Sequence, residues 1–154
     1  MTARVVSVGA DGISSIIDEI MEIERSSFSV PWRADDFTAS AEYGTVAASL
    51  AENGRLLGYG CLVVVADEAE VTNLAVSADE RRRGIGGGIL DFLIGTAAES
   101  SVSRLFLEVR ESNSGAIALY SSRGFKAVGR RPGYYRLPKE DAVIMMLEIG
   151  NSEC

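Results

Sequence analysis

Three stretches of this chain carry residue types that could do chemistry. The first is Arg81-Arg82-Arg83-Gly84-Ile85-Gly86-Gly87-Gly88, which follows the apolar run Val71–Val76 across the polar turn Ser77-Ala78-Asp79-Glu80. A strand that leads into a glycine cluster opening a helix aims backbone N–H groups at one point, where the positive end of the helix dipole adds to them. Such a point takes a phosphate, and glycines let a pyrophosphate approach the main chain with no Cβ in the way. The second is Glu108, in Leu105-Phe106-Leu107-Glu108-Val109-Arg110. A period of two puts Leu105, Leu107 and Val109 on one face and Phe106, Glu108 and Arg110 on the other. A carboxylate near the end of a central strand stands at the usual crevice of an open α/β sheet; otherwise it is a strand-end residue, solvated or paired with Arg110. The third is Tyr120, seven residues after Asn113 and on the same helical face. Its phenol, with a reference pKa of about 10, could donate a proton to a leaving thiolate of about 8.5. Equally, Tyr120 could be a core residue beside Ile117 and Phe125, and Asn113 a helix cap.

The chain excludes several classes. It has no histidine, which rules out Ser-His-Asp and Cys-His hydrolases and argues against a zinc catalyst, so no metal is expected. A net charge of −7 argues against nucleic-acid binding and favours a solvated acidic surface or a basic partner. No apolar run approaches the roughly 18 residues of a membrane span, and no signal segment leads the chain, so a cytoplasmic location with no membrane contact is expected. Cys61 lies in an apolar run and Cys154 is the last residue, which does not suggest a disulfide framework.

The elements that must position these residues can be read from periodicity. At 154 residues and 47% apolar, one domain over 1–149 with a tail from 150 to 154 is expected. Val5, Val6 and Val8 predict a first strand, and Ile13, Ile16, Ile17, Ile20 and Ile23 an amphipathic helix. A second helix is expected from Pro31 to about Tyr43, with Phe37 facing inward. Asn53-Gly54 marks a hairpin between Val46–Ala51 and Leu56–Val65. Strands follow at Val71–Val76 and Leu105–Val109, with a helix over Ile85–Ser100 between them. A short helix over Ala116–Ser122 ends at Gly124, a left-handed cap. Phe125–Gly129 and Ala142–Glu148 complete the strands. Tyr134-Tyr135 read as an aromatic flap on a long loop or as the start of a strand. Trp32 either lines a substrate groove or seals the helix pair. The fold class is α/β: a mixed, mostly antiparallel central sheet with helices on both faces.

The glycine loop lacks the Lys-Ser or Lys-Thr of a Walker motif, and Ile89 stands where the dinucleotide fingerprint needs its third glycine. Its pattern, Arg81-x-x-Gly84-x-Gly86, resembles the acyl-CoA pyrophosphate signature of the GNAT superfamily of N-acetyltransferases. Over nearly its full length the chain resembles the RimI-type ribosomal-protein alanine N-acetyltransferases of bacteria. The matching pieces are Phe28-Ser29-Val30-Pro31-Trp32, Asn73-Leu74-Ala75-Val76, the Arg81–Gly86 loop and Leu107-Glu108-Val109-Arg110 with Ser112-Asn113. Ala116–Tyr120, Gly124-Phe125, Tyr134-Tyr135 and Glu140–Met145 extend the match.

The resemblance implies acetyl-CoA as co-substrate, with the main chain of Leu74, Ala75 and Val76 pairing with its pantetheine arm. The loop Arg81, Arg82, Arg83, Gly84, Ile85, Gly86 and Gly87 would cradle its pyrophosphate, and Asn113 would contact it. Glu108 would be the general base and Tyr120 the general acid, with Trp32, Tyr134 and Tyr135 on the acceptor side. The implied acceptor is the N-terminal segment of a small-subunit ribosomal protein beginning with alanine, taken by a monomer or weak dimer. The chain departs from the commoner pattern in Gly87, Gly88 and Gly95, each expected to weaken its helix by about 0.5–1 kcal/mol relative to Ala. Deprotonating a lysine amine takes roughly 2.5 pKa units, about 3.4 kcal/mol, more than an α-amine, so a lone carboxylate suits an N-terminus better. A lysine or small-molecule amine acetyltransferase and a non-catalytic acetyl-CoA sensor are the competing readings. A covalent acetyl-cysteine route is not expected, since Cys61 should be buried mid-strand.

Overall fold

The computed structural model describes residues 3–150, so Cys154 and the tail beyond Gly150 lie outside the described residues. Strand β1 (Ala3–Val8) is followed by helices α1 (Ala10–Ser27) and α2 (Ala34–Tyr43). Strands β2 (Thr45–Ala51), β3 (Leu56–Val65) and β4 (Glu68–Val76) form a meander through Asn53-Gly54 and the two-residue turn Ala66-Asp67. A single 3-10 turn (Ala78–Glu80) leads to helix α3 (Ile85–Glu99), strand β5 (Arg104–Arg110), helix α4 (Ser114–Ser122), and strands β6 (Lys126–Tyr135) and β7 (Glu140–Glu148).

The seven strands form one sheet in the order β1-β2-β3-β4-β5-β7-β6. Every neighbouring pair is antiparallel except β4–β5. Two cores flank it. On one face the apolar side of α3 (Ile85, Ile89, Leu90, Leu93, Ala97) packs on Val71, Leu105, Leu107 and Val109, with Tyr120 and Phe125 at its edge. On the other, Ile13, Ile20 and Ile23 of α1 and Phe37 of α2 pack on Val46, Tyr59, Cys61 and Ala75.

Two features of β4 make the site. Its parallel pairing with β5 runs only from Glu68–Arg104 to Val71–Leu107. Beyond that point β4 stays with β3 as far as Val76, while β5 stays with β7 as far as Arg110. The two central strands therefore part. In addition, the register against β3 slips at Thr72, so that Cys61 faces Asn73 while Leu62 faces Val71. This bulge inverts the alternation: Asn73 and Ala75 point toward α1, and Leu74 and Val76 toward α3.

Two elements differ from the sequence expectation. The second helix starts at Ala34, not Pro31. Pro31 pushes Val30 toward extended backbone, and the Trp32 N–H is taken by the Glu24 carboxylate at 2.9 Å. Asp36 then accepts from the Arg33 N–H at 2.8 Å and starts the helix there. Tyr134-Tyr135 are not a flap on a loop but the end of β6, which runs far past Gly129. The strand is carried across Pro132-Gly133 by Gly133 donating its N–H to Asp141 at 2.8 Å, and Tyr135 rejoins the ladder opposite Glu140.

Candidate functional site

The glycine loop opens α3 through Gly84, whose φ of +80° is left-handed and strained for any residue with a side chain. Arg82 shares that region at φ 68°. The turn before the loop is anchored by Glu80, which is buried; its Oε2 accepts from Arg55 at 2.7 Å and its Oε1 lies 3.5 Å from Arg83. That pairing holds the Glu80 carboxyl below the usual range, through the Arg55 hydrogen bond first. Arg81 ties the loop back to the end of β4, donating to the Val76 carbonyl at 3.3 Å. Arg81 and Arg83 are thus engaged within the protein, and the groups aimed outward are the first-turn N–H groups of α3.

The four clustered glycines serve different ends. A Cβ on Gly86 would meet only Leu119 and Val76, each at 3.5 Å, so the protein itself leaves room for one. A Cβ on Gly87 would run into the Arg123 guanidinium, which is held by Asp91 at 3.0 and 3.2 Å. Gly88 and Gly95 face open space at that distance. The residues fit a diphosphate here: a helix start with free N–H groups and a glycine that no protein atom requires to be small.

Across the splay stands Glu108. Its side chain is 16% exposed and is bonded to the Nε of Arg131, which reaches over from β6. The expected partner, Arg110, is instead taken by Glu140 at 3.2 Å. Tyr134 lies beside Glu108, and burial first, with that charge adding to it, raises the Tyr134 phenol. The two tyrosine rings meet edge to face at 5.1 Å, and the Arg110 guanidinium lies 4.5 Å from the centre of the Tyr135 ring.

Arg110 also donates to the carbonyls of Pro138 and Arg136, both at 2.9 Å, and to the Ser29 hydroxyl at 3.3 Å. One side chain thus binds the β6–β7 turn to the α1–α2 connection. Nothing in its strand position announces this role, because its partners lie 26 to 81 residues away.

Tyr120 stands near Tyr135, and burial, with that neighbour's help, pushes its phenol up to about 12. It packs on Phe125 at 5.9 Å. The residue is therefore part of the core, with Tyr135 as its titratable neighbour. Asn113 caps α4, its Oδ1 accepting from the Ala116 N–H at 3.1 Å, so it fixes the helix that carries Tyr120. Trp32 packs on Phe37 at 5.0 Å and seals the two helices.

Sequence reasoning missed Glu24. This glutamate is 1% exposed and accepts from Tyr59 at 2.6 Å, Asn73 at 2.9 Å and the Trp32 N–H. It joins α1, the bulged stretch of β4 and the α1–α2 connection. The signal was present: Ile13, Ile17, Ile20 and Glu24 fall on one helical stripe, and a charge on an apolar stripe needs buried donors.

Residues 17–125 match the family model of the acetyltransferase (GNAT) family. The chain belongs to that family. It is 38% identical over 129 residues to the ribosomal protein bS18-alanine N-acetyltransferase of Escherichia coli, covering 82% of this chain and 87% of that protein. The crystal structure of the E. coli ribosomal-protein-S18-alanine N-acetyltransferase superposes with a TM-score of 0.87 at 32% identity, covering 99% of this chain and 97% of that one. An Arabidopsis thaliana NAA60 structure in complex with acetyl-CoA shares the fold at a TM-score of 0.84 and 18% identity, covering 96% and 100%. In this GNAT frame the cleft is the β4–β5 splay, between the end of β4 that leads to α3 and the strand that carries Glu108. Among the described residues no group of His, Cys, Asp and Glu could hold a metal, and no helix is long and apolar enough to cross a membrane.

Proposed function

We propose that residues 1–149 form one cytoplasmic acetyltransferase domain that moves an acetyl group from acetyl-CoA to the N-terminal α-amine of an alanine-starting ribosomal protein. The observation that carries this reading is Glu108, a carboxylate at the mouth of the β4–β5 splay, at the end of the parallel pair from which β4 leads on to α3. The acceptor is taken from the E. coli relative, which is named for acting on the alanine of bS18.

The main-chain edge of β4 from Asn73 to Val76, unpaired on the β5 side, would accept the pantetheine arm as an added strand. The amides of Arg82–Gly87 would hold the pyrophosphate, and the free amide of Asn113 would reach the same molecule. The acceptor amine attacks the thioester carbonyl, a C–N bond forms and the C–S bond breaks. Glu108 takes a proton from the attacking nitrogen, directly or through water. Tyr120 stays protonated at neutral pH and donates a hydrogen bond to the sulfur as negative charge grows on it. Giving the proton up entirely opposes the pKa order of the two groups, so its contribution is made in the transition state.

Cys61 is fully buried and its thiol is pushed up to about 12 by burial, which supports the direct route through a ternary complex over an acetyl-Cys61 intermediate. The test is CoA release from acetyl-CoA with peptides starting Ala, Ser and Met, and with an N-blocked peptide carrying an internal Lys. Turnover on the Ala peptide, lowered at least about 100-fold in Glu108→Gln with acetyl-CoA affinity intact, is expected. Turnover on the blocked peptide instead would assign a lysine acceptor, and silence with acetyl-CoA bound would leave a small amine or a sensor.

A further inference from the structure

A second carboxylate faces the same cleft. Glu70 lies between Ala69 and Val71 of β4, which both point into the α3 core, so Glu70 points to the opposite side, the side of Glu108. The register sets Glu70 beside Phe106 and Val71 beside Leu107, so Glu70 and Glu108 straddle the place where the strands part. Burial raises the Glu70 carboxyl, and the Glu108 charge adds to that; Arg131 opposes it.

Arg131 belongs to the edge strand β6, and to reach Glu108 it must cross β7. It does so over Ala142, which pairs with Arg131 on one side and Arg110 on the other. Its guanidinium carbon lies 5.5 Å from the centre of the Tyr134 ring. The cation has Glu108 bonded to it, the Tyr134 ring beside it and Glu70 within its electrostatic reach, surroundings that take a protonated amine as readily as a guanidinium. The Arg131 side chain is 58% exposed, so no packing prevents it from swinging out.

On the acetyltransferase reading above, we infer that Glu70, Glu108 and Tyr134 form the subsite for the acceptor's α-ammonium, with Arg131 as an internal cation that the acceptor displaces. Two such carboxylates match the two protons at stake. An ammonium must lose two protons to become an amide nitrogen. The first passes from nitrogen to Glu70, freeing the lone pair that attacks the thioester carbon. The second passes to Glu108 as the C–S bond breaks and the electron pair leaves on sulfur. Both carboxylic acids then return their protons to water; the thiolate takes up one, and one is released.

The experiment combines steady-state kinetics on the Ala-starting peptide with calorimetry. Arg131→Ala should lower the peptide KM several-fold, and Glu70→Gln should raise it about tenfold, the weight of one charge-assisted hydrogen bond, with acetyl-CoA affinity unchanged. In Glu70→Gln/Arg131→Ala the gain from removing Arg131 should shrink, because the two residues act on one site. A peptide KM unmoved by Glu70→Gln, or raised by Arg131→Ala, overturns the inference while leaving the function in place. If the wild type does not acetylate the peptide, the acceptor assignment fails, and binding still decides the subsite. With CoA bound, the free-amine peptide should then bind more tightly than its N-acetylated counterpart, and Glu70→Gln should erase that preference. Equal binding of the two peptides by the wild type overturns the subsite.

Discussion

The two sides of the cleft are built in different ways. The α3 side is made of main chain: a left-handed Gly84, first-turn N–H groups and the open edge of β4. The proposed acceptor side is made of side chains from distant segments: Arg131 on Glu108, Arg110 on Ser29 and the β6–β7 turn, and Glu24 under Asn73 and Trp32. A site made of backbone needs only residues that let the backbone adopt its shape, so it leaves a local motif. A site made of side-chain pairs needs partners that only folding brings together.

Breaking the acceptor side at its base should have the largest effect. Glu24→Ala leaves Tyr59, Asn73 and the Trp32 N–H without their acceptor, at a cost of about 1–3 kcal/mol for each buried donor left unpaired. Chemical denaturation should therefore show a loss of several kcal/mol, and a variant as stable as the wild type would remove Glu24 from this role. On the α3 side, Gly86→Ala separates ligand from protein. The protein has room for the methyl group, so the melting temperature should hold while acetyl-CoA affinity falls about tenfold through lost main-chain approach. Unchanged affinity would show that the glycine is not there for the ligand.

A smaller effect sharpens the acceptor side. Glu70 is raised and must be ionised to take a proton, so its contribution is lost as pH falls through that elevated value. Glu70→Gln should move the acid limb of kcat/KM for the peptide to lower pH. The other charged and titratable groups facing it are Glu108, Arg131 and Tyr134, and the tyrosine is shifted upward, away from that limb. An acid limb that stays in place would exclude Glu70 from proton transfer. The smallest effect is Gly95→Ala, on the exposed side of α3 with open space for a Cβ. It should add about 0.5–1 kcal/mol of stability and a few degrees of melting temperature, with activity unchanged.

Much of the fold was legible because periodicity and turn chemistry are local. The isoleucine stripe of α1, the Asn53-Gly54 hairpin and the α3 helix stand where their spacing put them, and Gly124 caps α4 with φ +96°. The Pro31 start failed because a distant carboxylate claimed the Trp32 N–H. Of the two readings of Tyr134-Tyr135, flap or strand, the strand holds, but at its end, because the Gly133–Asp141 bond carries β6 through a proline and a glycine that locally read as a loop.

The sequence by itself determined most of the strands and helices, the glycine start of α3 and the face on which Glu108 stands, since each follows from neighbours within a turn or two. Only the tertiary structure decided where β4 parts from β5, that the Thr72 bulge turns Asn73 onto Glu24, and that Arg131 rather than Arg110 meets Glu108. Those outcomes depend on which strands lie side by side, and strand order arises from packing two whole faces at once, which no local pattern encodes.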